Sequence, residues 1–466
     1  MYAHSTPAQR LGRHAIVIGG SMAGLLAARI LSDHFDQVTI LERDKVNDAP
    51  EARKGQPQTR HLHALLAKGL EVMTRYFPDL PQGLAENGAI IADMGETTRW
   101  YTFGGYRVQA PTGFMGALMS RPLLEWQVRR RVLALPNVML LDEVDVERPV
   151  FGAAGRRVEG VQIQERKTGE HKLLRAELTV DASGRGTAAP KWLEAAGYGK
   201  PQESAVKVNM GYATRIYRRS PNDLPGADLL IVSGEAPHDK RGGLVFPIEG
   251  DRWICTLAGA AADYPPTDEA GFLDYARSLA APDVYNLISR LEPLSEIISH
   301  RLPSSLRRHY EKMERFPEGY LVLGDAVCSF NPVYGQGMTS ATLQADALAQ
   351  LLGERKSLQG LAPAWFKRVA KIVDIPWQMA AGEDFRYAET EGKKAPGTDF
   401  INAYGARLHR GTHSDPYLLI EFLKVMNLMQ PPTSLFHPRT VWHVLRSGRT
   451  QRAAQPVLQP AAAGDC

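Results

Sequence analysis

Residues 15–44 read AIVIGGSMAGLLAARILSDHFDQVTILERD, and no other stretch constrains the fold as much. An apolar run, Ala15–Ile18, leads into Gly19-Gly20-Ser21-Met22-Ala23-Gly24. A helix-like segment, Leu25–Leu31, follows, and then a second apolar run, Val38–Leu41, ending in Glu42. The order predicts strand, glycine turn, helix, and a strand with an acid at its tip. In such a unit Gly19 permits the tight turn and Gly24 lets the helix lie close to the strand. The helix N-terminal N–H groups then face a pyrophosphate. Glu42, eighteen residues past Gly24, stands where an acid accepts hydrogen bonds from an adenosine ribose. Ser21 takes the place of the middle glycine of G-x-G-x-x-G and is small enough for close approach. The plain alternative is an ordinary βαβ unit with a glycine-rich turn.

The 466 residues allow two or three domains and a large core. A hydrophobic content of 44% with 23% charged residues is that of a soluble globular chain. The net charge of +4 is spread along the sequence, and clusters such as Arg129-Arg130-Arg131 read as solvated helix faces, so no nucleic-acid partner is expected. Cys255, Cys328 and Cys466 are too few for a disulfide framework. The N-terminal segment lacks an apolar signal core, and no apolar run is long enough to span a bilayer. A cytoplasmic protein without a transmembrane span is the expectation.

Along the chain, residues 1–13 and 450–466 read as flexible tails. Leu62–Phe77 has helical spacing closed by Pro78, and residues 80–117 read as short strands and loops. Ser120–Leu135 reads as a capped helix. Val138–Val150, Arg157–Glu165 and His171–Asp181 suggest a three-stranded meander, and Val206–Ile216 suggests one β run. Tyr320–Leu323 is a short strand, Thr339–Leu352 a helix, and 362–430 mostly helical. The predicted class is α/β. A Rossmann-like cofactor domain is assembled from 14–79, 118–200 and 315–352, with an inserted, mainly antiparallel β domain from 80–117 and 201–314. A helical region follows at 353–449.

Three further motifs accompany the fingerprint: Gly324-Asp325-Ala326-Val327-Cys328-Ser329-Phe330-Asn331-Pro332-Val333-Tyr334-Gly335-Gln336-Gly337-Met338, Val180-Asp181-Ala182-Ser183-Gly184-Arg185-Gly186, and Ser120-Arg121-Pro122-Leu123-Leu124. In this order they resemble the FAD motifs of class A flavin monooxygenases, the para-hydroxybenzoate hydroxylase type. Departures from that pattern are Ala182 for a glycine, Cys328 for a histidine and Thr339 for an asparagine. With the loop RKGQPQTRH (Arg53–His61), the set most nearly resembles the flavin epoxidases of polyether antibiotic biosynthesis, the lasalocid and monensin type.

The resemblance implies FAD, with O2 as co-substrate and either NAD(P)H or a partner flavin reductase as electron donor. It implies transfer of one oxygen atom from a flavin C4a-hydroperoxide, and a place in secondary metabolism. Cofactor contacts are carried to Gly19, Gly20, Ser21, Met22, Ala23, Gly24, Glu42, Arg43, Arg53, Arg121, Val144, Asp181, Gly324, Asp325, Pro332, Gly335, Gly337 and Met338. Pro332, Tyr334, Gly335 and Gly337 flank the implied flavin. Asn209, Tyr212, Phe246, Trp253, Phe330 and Val333 are candidates for a hydrophobic substrate pocket, with Thr214 and Cys255 beside them; core packing is the plain reading of each. Alkene epoxidation is the first expectation, because no phenol-deprotonating relay is evident. Aromatic hydroxylation is the second, and reduction of isoprenoid alkenes another. A halogenase is disfavoured, since no two of the seven tryptophans stand two apart. His61-Leu62-His63 lacks further ligands at useful spacing, so no metal is expected. Pro416–Met429, apolar at ten of fourteen positions, reads as a core helix, a pocket wall or a membrane-surface contact.

Overall fold

The stretch 15–44 folds as its pattern dictates: β1 (Gly12–Ile18), α1 (Met22–Ser32) and β2 (Phe35–Leu41). The computed structural model describes residues 10–63 and 65–447. β1 begins inside the segment expected to be a flexible tail, and Arg10 there donates to the Ser32 carbonyl at 2.9 Å. The rest of that tail, 1–9, and the tail 450–466 lie outside the described residues.

β1 and β2 belong to a five-stranded sheet in the order Tyr320–Val322, Leu178–Asp181, β1, β2, Val138–Leu141. Every pairing in it is parallel. All five strands therefore end at one edge, which carries Gly19, Glu42, Ala182 and Gly324-Asp325. In parallel sheets of this kind ligands bind in the crevice outside that edge. The core beneath is apolar on both faces: Ala15, Ile16, Val17 and Val180 are fully buried, and α1 contributes Leu25, Leu26, Ile30 and Leu31.

A second, seven-stranded sheet has the order Ile298–Leu302, Met210–Arg218, Arg252–Gly259, Arg241–Ile248, Leu229–Ser233, Thr98–Thr102, Gly105–Tyr106. It is antiparallel except where Leu229–Ser233 runs parallel to Thr98–Thr102. One face packs Ala213, Tyr217, Trp253, Cys255 and Leu257 against Phe272 and Val284 of the helices Glu269–Arg277 and Asp283–Ile288. The other face presents Tyr212 to Asn331 and Thr214, beside Thr256, to His61. The class is mixed α/β with a helical C-terminal region, as expected.

Several element boundaries differ from the sequence pattern. The helix expected from Leu62 begins at Ala67, because Leu65 bridges to Ala117 and the Ala67 N–H is capped by the side chain of distant Asn427 at 2.8 Å. Residues 80–117 open with a helix, Leu80–Glu86, that has proline in its first turn. The meander contains only Val144–Phe151, Val158–Glu165 and His171–Arg175. Val138–Leu141 and Leu178–Asp181 leave it for the parallel sheet. Glu143 at φ 57° breaks the first of these runs, and Asn209 at φ 49° breaks Val206–Ile216 in the same way. Pro416–Met426 is a helix that buries Leu418, Leu419, Leu423 and Val425, as a core element does. Among the described residues no helix is long and apolar enough to cross a membrane.

Candidate active site

Sterics fix the glycine turn. Gly19 has φ +102°, and a Cβ on it would lie 2.7 Å from the Ala182 carbonyl oxygen. A Cβ on Gly24 would lie 1.8 Å from the Gly19 carbonyl oxygen, so only glycine allows α1 to sit this close to the turn. Gly324 meets α1 as well: its Cβ would approach that of Ala23 to 2.7 Å. Ser21 does more than stay small. Its hydroxyl donates to Glu125 Oε2 at 2.8 Å and accepts from Arg121 Nη2 at 3.0 Å, tying the turn to the helix Arg121–Leu133.

Around that tie lies a buried charge network. Arg53 contacts Glu125 at 2.5 Å and Glu42 at 3.0 Å, and donates to the Gly20 carbonyl at 3.0 Å. Arg121 contacts Glu125 at 3.1 Å, and Arg129 contacts it at 3.7 Å. Burial pushes the Glu125 carboxyl up, but Arg121, Arg53 and the Ser21 hydroxyl outweigh it and hold the group ionised. Burial lowers the Arg121 pKa against the pull of Glu125. Three guanidiniums face two carboxylates, Glu42 and Glu125, which leaves an excess of positive charge beside the turn. Nη1 of Arg121 and Nη1 of Arg53 also lack a well-aligned hydrogen bond among the described residues. An anionic pyrophosphate fits this donor set.

Glu42 accepts from Gly20 N at 2.9 Å and Asp44 N at 3.0 Å in addition to its pairing with Arg53. A carboxylate has about four acceptor positions, so room for a ribose hydroxyl remains on Oε1. Val144 donates its N–H to the Glu42 carbonyl and packs with Ile16 and Leu41. A cavity of about 340 Å³ opens at the end of β2, lined by Arg43, Asp44, Lys45, Arg53, Arg129 and Arg166 among others.

The two aspartates of the further motifs differ. Asp325 makes no hydrogen bond or ion pair among the described residues and is open to solvent. Surrounding protein raises its pKa while Arg121 and Arg185 oppose that rise. Asp181 is fully buried and already accepts from Ser183 N at 2.9 Å, Ser183 Oγ at 2.5 Å, Thr187 Oγ1 at 2.6 Å and Tyr320 OH at 3.0 Å. Both Asp181 oxygens are thus engaged within the protein, where they hold the loop 182–187 against Tyr320.

Beyond Asp325 the chain turns through Pro332–Tyr334 to Gly335, at φ +65°. A Cβ on Gly337 would meet nothing within 4 Å, so this loop borders open space. Met338 is buried behind it. A buried polar cluster supports the loop. Asn331 accepts from the Tyr212 hydroxyl and donates to Asp384 Oδ1 at 3.1 Å, and Tyr334 OH donates to the same oxygen at 2.8 Å. Asp384 is 1% exposed, and its Oδ2 has no partner among the described residues. Burial pushes its pKa up to about 7 against the two donors.

The strand alternation sorts the pocket candidates. Tyr212 faces the site through Asn331. Phe246 is on the same side but sealed among Leu118, Ile248 and Ile254, and Phe330 is sealed in the main core. Val333 packs beside Tyr212, and Asn209 occupies the turn before that strand. Trp253 and Cys255 point to the opposite face, into the core against the two helices, which is the plain packing reading of each. Cys328 is a buried free thiol beside the Asp325 loop.

One residue and one pairing had no sequence signal. Asp384 lies fifty-three residues beyond Asn331, on the helix Leu361–Asp384. His61 accepts from or donates to Thr214 Oγ1 at 2.8 Å, Thr214 meets Thr256 at 2.7 Å, and the His300 ring lies 5.6 Å from that of His61. Burial, then the neighbouring histidines, lowers His61 to about 4, so it is neutral at neutral pH. No group of three metal-ligating side chains occurs among the described residues.

No family model matches the chain. The chain is 35% identical to Protein Rv3254 of Mycobacterium tuberculosis over 93% of its own length and 94% of that protein's. Among solved structures it resembles the flavin-dependent brominase Bmp2, with a TM-score of 0.67, 14% identity, and coverage of 94% of this chain and 98% of that one. It also resembles PqsL, a probable FAD-dependent monooxygenase from Pseudomonas aeruginosa, with a TM-score of 0.58, 16% identity, and coverage of 88% and 99%. A third is 2-methyl-3-hydroxypyridine-5-carboxylic acid oxygenase, with a TM-score of 0.58, 18% identity, and coverage of 90% and 98%. These likenesses show the fold, and the mycobacterial relative shows kinship: the chain belongs to the family of Protein Rv3254.

Proposed function

We propose that the protein is an FAD-dependent monooxygenase that transfers one oxygen atom from O2 to a hydrophobic small molecule, with alkene epoxidation as the first reading. The observation that carries this is the shared sheet edge. There the Gly19–Gly24 turn, the surplus of arginine charge, the unpartnered Asp325 and the open Gly335–Gly337 loop meet beneath a β-sheet wall. When bound and reduced, FAD supplies the activation of O2.

The chain's residues have distinct parts in this reading. Arg53 and Arg121 balance the pyrophosphate, Glu42 and Asp325 accept sugar hydroxyls, and Gly335 and Gly337 clear space for a flat ring. Tyr212 and Val333 border the substrate and exclude water. A single dinucleotide fingerprint is present, so the reductant, NAD(P)H or a partner reductase, docks without a Rossmann unit of its own.

Hydroxylation of a phenol is a second reading, favoured by the Tyr334–Asp384 pair. Tyr334 can take a proton from a substrate hydroxyl while passing its own to Asp384 Oδ1, 2.8 Å away.

The test is incubation of reduced, FAD-loaded enzyme with ¹⁸O₂ and a panel of apolar polyenes and phenols. Epoxides or diols carrying one ¹⁸O atom support epoxidation. Label confined to phenolic products moves the assignment to hydroxylation, with Asp384→Asn then slowing turnover. A product gaining two hydrogens and no oxygen contradicts oxygen transfer altogether.

A further inference from the structure

Large exposed apolar side chains concentrate at one end of this chain. Of ten among the described residues, five lie in the last fifty: Phe400 (71% exposed), Ile401 (53%), Phe436 (41%), Trp442 (53%) and Leu445 (62%). Scattered singly they would need no explanation; gathered on helices that pack together they do. Tyr404, one turn beyond Phe400, stacks on Phe436 at 4.7 Å and links the helix Thr398–Gly411 to the turn Pro432–Phe436.

The helix Pro438–Ser447 is amphipathic in an unusual sense. Thr440 and Val444 face inward, while Trp442 and Leu445 face outward, flanked by exposed Arg439 and Arg446. The Arg446 guanidinium lies 5.0 Å from the Trp442 ring centre. Charge along the chain sharpens the point. From Phe422 to Gly464 there is no aspartate or glutamate, while Lys424, Arg439, Arg446, Arg449 and Arg452 are all basic.

We infer that this C-terminal helical face docks on an anionic lipid surface, with Trp442 and Leu445 entering the interface and Arg439 and Arg446 pairing with headgroup phosphates. An outward aromatic-aliphatic face rimmed by arginine is the chemistry of an interfacial helix. A second copy of the chain fits poorly, because a two-fold contact would set the helix Pro438–Ser447, which carries Arg439 and Arg446 and no acid, against itself, while Asp415 and Asp399 beside it are already paired with His443 and Lys394. The segment 448–466 fits poorly too: it adds Arg449 and Arg452, and its large apolar residues are only Val457 and Leu458. The helix Pro416–Met426 plays no direct part, since its apolar face is already buried.

The experiment is co-sedimentation of the full-length chain with phosphatidylcholine vesicles, with and without phosphatidylglycerol, at low and high salt. Binding should require phosphatidylglycerol and weaken with salt. Trp442→Ser with Leu445→Ser should abolish it while leaving FAD binding and the unfolding midpoint unchanged. Arg439→Gln with Arg446→Gln should weaken binding by roughly fivefold for each arginine. Equal binding to neutral vesicles, or none to either, overturns the inference. So does a concentration-dependent dimer lost in the Trp442/Leu445 variant, which would make a second copy the occupant. Binding that appears only when the chain ends at Ser447 would assign the face to the tail.

Discussion

Gly24 is the residue whose chemistry is most tightly dictated. A single added carbon meets the Gly19 carbonyl oxygen at 1.8 Å, so Gly24→Ala forces the turn and α1 apart. Overpacking of this kind costs about 1–3 kcal/mol, and the distorted turn should no longer retain FAD. Full flavin occupancy in a folded Gly24→Ala protein would count against the fingerprint. Asp384 is the counterpart beneath the Pro332–Tyr334 turn. Burial raises its pKa from an ordinary 3.8 to about 7, so the folded state holds a proton that the unfolded chain releases. Its contribution to stability is present below the lower value and is lost as pH rises through the higher one, roughly 4 kcal/mol in all. Asp384→Asn should flatten that decline and be the more stable protein at pH 8. Denaturant unfolding of both proteins at pH 5 and pH 8 measures it, and parallel pH profiles would sink the idea.

Among elements, the helix Arg121–Leu133 carries more than its sequence announced. Ser120 caps it as expected, accepting from Leu123 N at 3.2 Å. Glu125, one turn in, was invisible as a site residue because a glutamate on a helix is ordinarily a solvated one. Its contact with Arg121 is a local i,i+4 pair, but only in three dimensions does it join Ser21 and Arg53. Removing one partner from a buried ion pair costs about 3–5 kcal/mol, so Glu125→Ala should destabilise the protein by that order. It should also release the loop after Arg53 to proteolysis; an unchanged digestion pattern would show that the loop is held by other contacts. The same contrast runs through the other elements. Local periodicity sufficed for β1, α1 and β2, where every signal lies within thirty residues. It misplaced the start of Ala67–Tyr76, since the cap is Asn427, and it merged strands that separate at Glu143 and Asn209 through backbone angles no propensity encodes.

At the scale of the whole molecule, the chain builds one parallel edge from four distant segments and closes it with a sheet inserted between them. Glycine and aspartate motifs made the edge legible, because their spacing reports strict backbone requirements. The facing wall was half legible. Alternation marks some of its strands and misses Leu229–Ser233 and Ile298–Leu302, and it does not say which parity faces inward, so Trp253 stands as a candidate beside Tyr212 although they lie on opposite faces. Long-range polar pairs such as His61–Thr214 and Tyr334–Asp384 left no mark on the sequence at all.

The central claim is that this edge holds FAD through both ends of the cleft. Its most direct measurement is titration of the apoprotein with FAD and, separately, FMN, followed by flavin fluorescence, for the natural chain and Asp325→Ala. One FAD per chain, preferred over FMN, is the expected result. Loss of the Asp325 acceptor should weaken FAD by roughly ten- to a hundredfold, as a charge-assisted hydrogen bond is worth about 1.5–3 kcal/mol. No flavin binding, equal affinity for FMN, or an Asp325→Ala protein that binds FAD as tightly as its parent would contradict the account.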